Sequence, residues 1–432
     1  MLEVLLLLSL PMHIFDATRC SGNHPVQIHH EWYQPGDILV GGITSQMFYF
    51  SDEMTFKKLY QHVLALAFAV NEINKNARLL PNVTIGFHIY DSYYNARMTY
   101  RAMLDMLSKT QRFLPNFKCG QQENIIAVIG GLSSTISSHV ADILSLYKIP
   151  QVEPREDTYQ TLSPSYYRMV PDESHQYIGI IHLLKYFQWR WIGIFAVQDD
   201  GGDHFLQALE SLFFQNGLCS AFIERTPNVA LFLNLYDILE MNRKYYLLLK
   251  EKKARVYLVH GDTTSFIWLA YTVVDSLSEE EELQPAGKVW IMTAQIDFAL
   301  AGFQGFLELQ MFHGTISLNI HSNELPEFQK YLQTLHPGET EGNGFMKVFW
   351  EHAFGCSFPN PSELIDADRT CTGEERLENV PSLFFEMAMT GHSYSIYNAV
   401  YAIAYALHAN FDLEWLDLPL NTFLYTLQRL FC

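Results

Sequence analysis

The chain of 432 residues is poor in cysteine and in basic residues, and long apolar runs are missing. Its six cysteines are scattered, without the close pairs a zinc site needs, so no metal is expected. The histidines near the start (His24, His29 and His30) form no ligand spacing either. Lys and Arg number 28 against 47 Asp and Glu, a net charge of -19 that argues against nucleic acid and anionic membrane surfaces as partners. Beyond the first residues no apolar stretch, Ile396 to Leu407 included, reaches the roughly 18 to 20 residues that a spanning helix needs. Enzyme signatures are missing too: no Gly-x-Ser-x-Gly elbow, no His-Glu-x-x-His and no P-loop. Gly130-Gly131 and Gly201-Gly202 do not extend into a dinucleotide fingerprint, so neither an enzyme nor a cofactor is expected.

What is there describes a packed globular protein, 49% hydrophobic and 17% charged, and too long for one ordinary core. Leu2 to Pro11 is short and apolar and is followed by Ala17 and Cys20; residues 1–19 read as a secretory signal, although its start lacks the usual basic residues. The chain is therefore expected in the secretory pathway or outside the cell, where cysteines oxidise. Cys356 and Cys371 bracket a Pro- and Asp-rich loop (Phe358 to Arg369) that a disulfide would staple. Asn82-Val83-Thr84 is the sole glycosylation sequon with a permitted middle residue. The Glu279 to Glu282 run reads as a solvated loop or as an acidic docking site.

Strand and helix periods alternate along the chain. Ile38 to Ile43 starts as a strand after the turn Pro35-Gly36-Asp37, and Leu59 to Asn74 reads as a helix apolar on most sides, with Pro81 as its stop. Strands follow at Val83 to Ile89, Ile125 to Ile129 and Lys148 to Val152, with helices at Arg97 to Phe113 and Ser134 to Tyr147. After Pro171 the alternation restarts. Helices are expected at Glu173 to Phe187, Asp203 to Gln215, Leu235 to Lys252 and Ser265 to Leu277, and strands at Trp191 to Val197, Cys219 to Glu224, Val256 to His260 and Lys288 to Met292. Two such runs imply an α/β fold of two doubly wound parallel sheets, each covered by helices on both faces. Glu324 to Leu407 has too few strands for a third sheet and must pack back on one of the two.

In open parallel sheets ligands sit at the carboxyl ends of strands beside helix N-termini. Gly130-Gly131-Leu132-Ser133-Ser134 is such a corner, with backbone donors, a positive dipole end and two hydroxyls that suit an anionic group. Capping of the helix by Ser133 or Ser134 is the competing reading.

Three blocks give a family likeness: Phe349-Trp350-Glu351-His352-Ala353-Phe354-Gly355-Cys356, then Cys371-Thr372-Gly373-Glu374-Glu375, then the helical run His392 to His408. In this order and spacing they resemble the extracellular ligand-binding domain of class C G-protein-coupled receptors, most of all the vomeronasal type-2 receptors. The resemblance implies a bilobed, periplasmic-binding-protein-like clamshell. Its first lobe would take residues 36–170 and 315–410, its second lobe 171–314, and residues 411–432 would begin an incomplete return to the second lobe. The cleft would hold a small molecule or peptide. Ser134 would stand where amino-acid-sensing relatives hold a ligand carboxylate, with Ser133 beside it. Asp157, next to Thr158, falls where those relatives carry a hydroxyl residue, and it would repel a carboxylate and prefer a cationic or hydroxyl-rich group. Gly201 replaces an aromatic residue of the loop Asp199-Asp200-Gly201-Gly202, and Ala294, beside Gln295, replaces an acidic partner of the ligand ammonium. Asp199 and Asp200 could meet an ammonium or could cap the following helix.

The likeness also implies a homo- or heterodimer through the first lobe, with Cys119 either an intersubunit disulfide or a partner of Cys20. Cys219 corresponds to a cysteine that bonds a following cysteine-rich domain. Coupling to a G protein would need a seven-helix domain outside this chain, placing a full-length receptor at the plasma membrane with this region outside. The alternatives from other classes are a secreted binding protein or decoy, and a truncated, non-functional receptor fragment.

Overall fold

The computed structural model describes residues 28–49, 53–55, 57–107, 125–131, 134–153, 165–169, 173–227, 240, 243–245, 247–249, 254–263, 265–266, 268–270, 288–296, 312, 314–338, 342–359, 370–382 and 384–414. The elements begin with strands β1 (Glu31–Gln34), β2 (Ile38–Thr44), β3 (Met47–Tyr49) and β4 (Glu53–Thr55), then helix α1 (Tyr60–Lys75), β5 (Ile85–Asp91), α2 (Ala96–Leu107), β6 (Ile125–Gly130), α3 (Ser134–Tyr147), β7 (Gln151–Glu153) and β8 (Tyr166–Arg168). They continue with α4 (Glu173–Tyr186), β9 (Trp191–Val197), α5 (Asp200–Asn216), β10 (Cys219–Thr226), β11 (Val256–His260), β12 (Val289–Met292) and β13 (Ile316–Ser317), and end with α6 (Pro326–Gln333), α7 (Met346–Phe354) and α8 (Gly391–Glu414).

Two large sheets result. The first has the order β1-β5-β2-β6-β7-β8, parallel except for β1, and the second the order β10-β9-β11-β12-β13, parallel throughout. Both are doubly wound α/β lobes, the fold class read from the alternation.

Helix α1 is the centre of the first lobe. Apolar side chains occur all round it, and Val63, Leu64, Ala65, Ala67, Ala69 and Val70 are buried. Such a helix needs cover on every side. One face meets the sheet and another meets α8, whose Ala399 and Ala404 are buried in the same core. Aromatic contacts fasten the late helices to it: Phe328 of α6 against Phe68 at 5.3 Å, and Phe349 of α7 against Tyr60 at 4.4 Å. The 324–407 stretch thus packs on the first lobe. A disulfide joins Cys356 and Cys371 with their Cα atoms 5.0 Å apart.

The second lobe has an apolar cluster on each face of its sheet. On one face Phe195, Tyr245, Tyr257, Phe266, Trp290 and Phe312 form a continuous aromatic layer, with Tyr257 stacked on Trp290 at 4.7 Å.

Several boundaries differ from the sequence reading. Helix α1 covers Tyr60–Lys75, within one residue of the expected span, and Asn74 exchanges two hydrogen bonds with the backbone of Ile85 (2.8 and 2.9 Å) that tie its end to β5. Strand β7 starts at Gln151 rather than Lys148, which sits at φ 56° as the chain leaves α3. The first lobe extends to the amino side of residue 36, since β1 pairs with β5 and Trp32 packs on Phe87. Strand β13 adds to the second sheet, so the chain leaves that sheet after Ser317 rather than at 314. Helix α8 runs on to Glu414, past residue 410. Residues 1–19, Pro171, Glu279 to Glu282 and 415–432 lie outside the described residues.

Candidate functional site

In the second lobe, β12 ends at Met292 and the loop Thr293-Ala294-Gln295 follows at the carboxyl edge of the sheet. Helix α4 holds that loop. Gln176 Oε1 accepts from the Ala294 amide at 2.6 Å, Gln176 Nε2 donates to Gln295 Oε1 at 3.3 Å, and Gln295 Nε2 donates to Glu173 Oε1. The Gln295 side chain is thereby committed to its own lobe, while Ala294 keeps a carbonyl turned towards the first lobe.

That carbonyl accepts from His392 Nε2 at 3.1 Å, so Nε2 carries a proton. His392 is buried at the start of α8, and its ring meets the ring of His62 on α1 edge-on at 6.2 Å. The segment leading into α8 is clamped on α1 by the buried Gln61, which donates to the carbonyls of Glu386 (2.7 Å) and Ala388 (2.8 Å) and accepts from the Thr390 amide (2.8 Å). Lys58 pairs with Glu386 at 2.6 Å. Between these groups lies a cavity of about 620 Å³ whose lining includes Lys58, Glu386 and His392 from the first lobe and Ala294, Phe312 and Gly314 from the second. Its walls offer the paired Lys58 and Glu386 together with the polar side chains of Thr315, Ser317, Asn319, Ser322 and Ser382, with apolar surface between them.

The sequence-predicted positions are only partly gathered here. Ala294 lines the cavity, whereas Asp200 and Gly201 are absent from its lining. They form the first turn of α5, which starts three residues before the expected Asp203. Asp199 is its cap, accepting from the Gly202 amide at 2.8 Å, and a Cβ at Gly202 would stand 2.0 Å from the Val197 carbonyl. Asp200 itself is exposed. Ser134 opens α3, but its side chain lies outside the described residues, as do Ser133, Asp157, Thr158, Cys20 and Cys119. Asn82 is exposed at φ 65° in the turn between α1 and β5, and Cys219 is an exposed thiol at the start of β10.

Sequence reasoning passed over Lys58, Glu386 and His392 as cavity residues. His392 stood at the head of the quoted helical run, but nothing local shows that its imidazole reaches the other lobe. At the corner after β6, which the sequence does mark, it passed over Glu153 and Ser137. Gly130 (φ 146°) and Gly131 (φ 91°) make the turn there, and a Cβ on Gly130 would stand 2.3 Å from the Ile43 carbonyl. Beneath Gly131 lies the fully buried carboxylate of Glu153, which accepts from Ser137 Oγ of α3 at 2.5 Å.

The receptor family ligand binding region matches residues 61–412, more than half of the chain and spanning both lobes. The chain belongs to that family. It is a family of receptor ligand-binding regions, not of enzymes. Among curated relatives, the chain is 28% identical over 409 residues to vomeronasal type-2 receptor 26 of Mus musculus, covering 89% of this chain and 46% of the relative. It is 27% identical over 382 residues to the extracellular calcium-sensing receptor of Homo sapiens, covering 81% of this chain and 34% of the relative. These are class C G-protein-coupled receptors, and this ligand-binding region spans less than half of their length. Among the described residues no helix is long and apolar enough to cross a membrane.

Proposed function

We propose that this chain is the extracellular ligand-binding region of a vomeronasal type-2-like chemosensory receptor and binds a small molecule or a peptide between its lobes. The observation that carries the reading is the cavity of about 620 Å³ lined from both lobes, beside the His392–Ala294 hydrogen bond that crosses between them. A ligand that touches both walls is bound more tightly when they approach, so binding shifts the lobes towards closure. In a full-length receptor that movement would pass through a dimer formed by the first lobe to a seven-helix domain and a G protein. Cys119 as the intersubunit disulfide and Asn82 as a glycan site belong to the same reading.

The test is small-angle scattering of the secreted chain titrated with free amino acids and with short peptides. At least one probe class should lower the radius of gyration, and Ala294→Trp, which fills the cavity from the second lobe, should abolish the response. A response unchanged in Ala294→Trp, or no response to either class, would overturn the reading.

A further inference from the structure

The cavity between the lobes carries its formal charge in one place. Among its described lining residues the charged side chains are Lys58 and Glu386, and they are bound to each other at 2.6 Å. The Lys58 side chain is 9% exposed and the Glu386 side chain 37%, so the cation is the buried member of the pair. His392, on the same lining, donates its Nε2–H to the Ala294 carbonyl. What remains for a ligand is neutral. Asn319 accepts from Ser317 Oγ at 3.3 Å through its side-chain oxygen, and its amide nitrogen remains a donor. Ser322 and Ser382 add hydroxyls, and Ile320 and Met389 add apolar surface.

We infer that this cavity selects ligand groups without formal charge, hydroxyls and amides above all, and that the Lys58–Glu386 pair turns charged groups away. The inference rests on the proposed interlobe binding and adds the chemical class of the ligand. A ligand carboxylate gains Lys58 only by displacing Glu386. A ligand ammonium on the more exposed Glu386 stands beside the Lys58 ammonium or displaces it. Either exchange strands a charge, and a buried charge without its partner is strongly unfavourable. A charged group that displaces neither member gains little from a pair whose charges cancel, yet loses its own hydration. Hydroxyls and amides exchange hydrogen bonds with water for hydrogen bonds with Asn319, Ser322 and Ser382 and meet no such conflict. A polyol and the uncharged backbone of a peptide both offer this chemistry.

Equilibrium dialysis of the secreted chain against related probes tests this at about pH 6, where a free amine is charged. N-acetylserinamide is uncharged, N-acetylserine is an anion, serinamide is a cation, and trehalose is the polyol. N-acetylserinamide or trehalose should bind at least about tenfold more tightly than either charged probe. The peptide backbone is the source if the first alone binds, and a polyol if trehalose alone binds. Glu386→Gln strands Lys58 and should raise the affinity for N-acetylserine about tenfold. Lys58→Met strands the more exposed partner and should do the same for serinamide, which keeps the test open should Glu386→Gln not be secreted. A charged probe bound by the unmodified chain as tightly as the uncharged ones would overturn the inference. So would no binding of either uncharged probe, or variants with the preferences of the unmodified chain. Dialysis reads occupancy and not closure, so a preference for a charged probe removes this ligand class alone, while the scattering experiment judges the interlobe site.

Discussion

The first lobe is assembled from two distant stretches, residues 31–168 and 326–414, while the second sheet is drawn from one stretch, 191–317. Their polar interiors differ accordingly. In the first lobe, buried and half-buried polar side chains join the two stretches: Gln61 to residues 386–390, Asn343 Nδ2 to the Tyr60 hydroxyl at 2.8 Å, and the half-buried Tyr397 hydroxyl to Glu72 at 2.9 Å. The second lobe relies on its aromatic layer, and among the described residues no acceptor meets the buried Trp290 Nε1. A lobe closed by contacts of long sequence separation forms late and depends on the whole chain, whereas a contiguous one forms by itself. The first lobe is thus the specified platform and the second the independent, mainly apolar jaw.

The largest effects come from the two wholly buried tryptophans. Trp350→Ala in the first lobe and Trp290→Ala in the second should each cost about 3–5 kcal/mol. Followed by hydrogen exchange in denaturant, Trp350→Ala should release protection in β2 and β5 first, and Trp290→Ala in β9 and β11. If both variants lose protection in both sheets together, the lobes are one cooperative unit and the contrast drawn above is wrong.

An intermediate effect separates the lobes by pH. His260, at the end of β11, stacks face to face on Phe205 at 4.1 Å with the rings 6° apart. Burial, with the nearby Arg225 charge adding to it, holds its imidazole down to about 3 from an ordinary 6.5. The folded lobe therefore refuses the proton that the unfolded chain takes up below pH 6.5. Stability is full above 6.5 and falls by about 1.4 kcal/mol per pH unit below it, or roughly 2 kcal/mol by pH 5. His260→Phe keeps the stacked ring and removes the titration, so the second lobe of that variant should lose about 2 kcal/mol less than the unmodified chain between pH 7 and pH 5. Identical slopes for the two proteins would show that the imidazole takes up its proton in the fold.

Much of this architecture was legible in residue patterns, because the long elements carry it. The β9 run Trp191 to Val197 is a continuous apolar strand, and α1 is apolar all round, so the two sheets and the central helix follow from periodicity. The short edge strands were not legible: β8 has three residues and β13 two, and their pairing is decided by neighbours far along the chain. At the site, Ala294 was recognised through the family likeness, and Asp199 as a cap through local chemistry. The partnerships of His392 with Ala294 and of Glu153 with Ser137 span 98 and 16 residues, and no local spacing encodes them.

The smallest effect lies in the Cys371-Thr372-Gly373-Glu374-Glu375 block of the first lobe, and it gives that block a structural reason. Glu375 folds back on its own turn and on α7. Its Oε2 accepts from Trp350 Nε1 and from the Gly373 amide, both at 2.8 Å, and its Oε1 accepts from the Thr372 amide at 2.7 Å and the Thr372 hydroxyl at 2.9 Å. Burial pushes its carboxyl up, but the donors outweigh it and bring it down to about 2. The direction is therefore the same as for His260, with hydrogen-bond donors rather than burial as its cause, and it acts lower on the pH scale. The contribution is present above the ordinary carboxyl value near 4.5 and is lost as pH falls towards 2. Discounted for solvent screening, Glu375→Gln should cost about 1 kcal/mol at neutral pH, and the difference should vanish as pH falls to about 2. Acidification should accordingly loosen the second lobe before the first, with hydrogen exchange in β11 rising below pH 6.5 while exchange in α7 holds until below 4.5. Exchange in α7 rising together with that in β11 near pH 6 would remove Glu375 as the acid-sensitive tie of the first lobe.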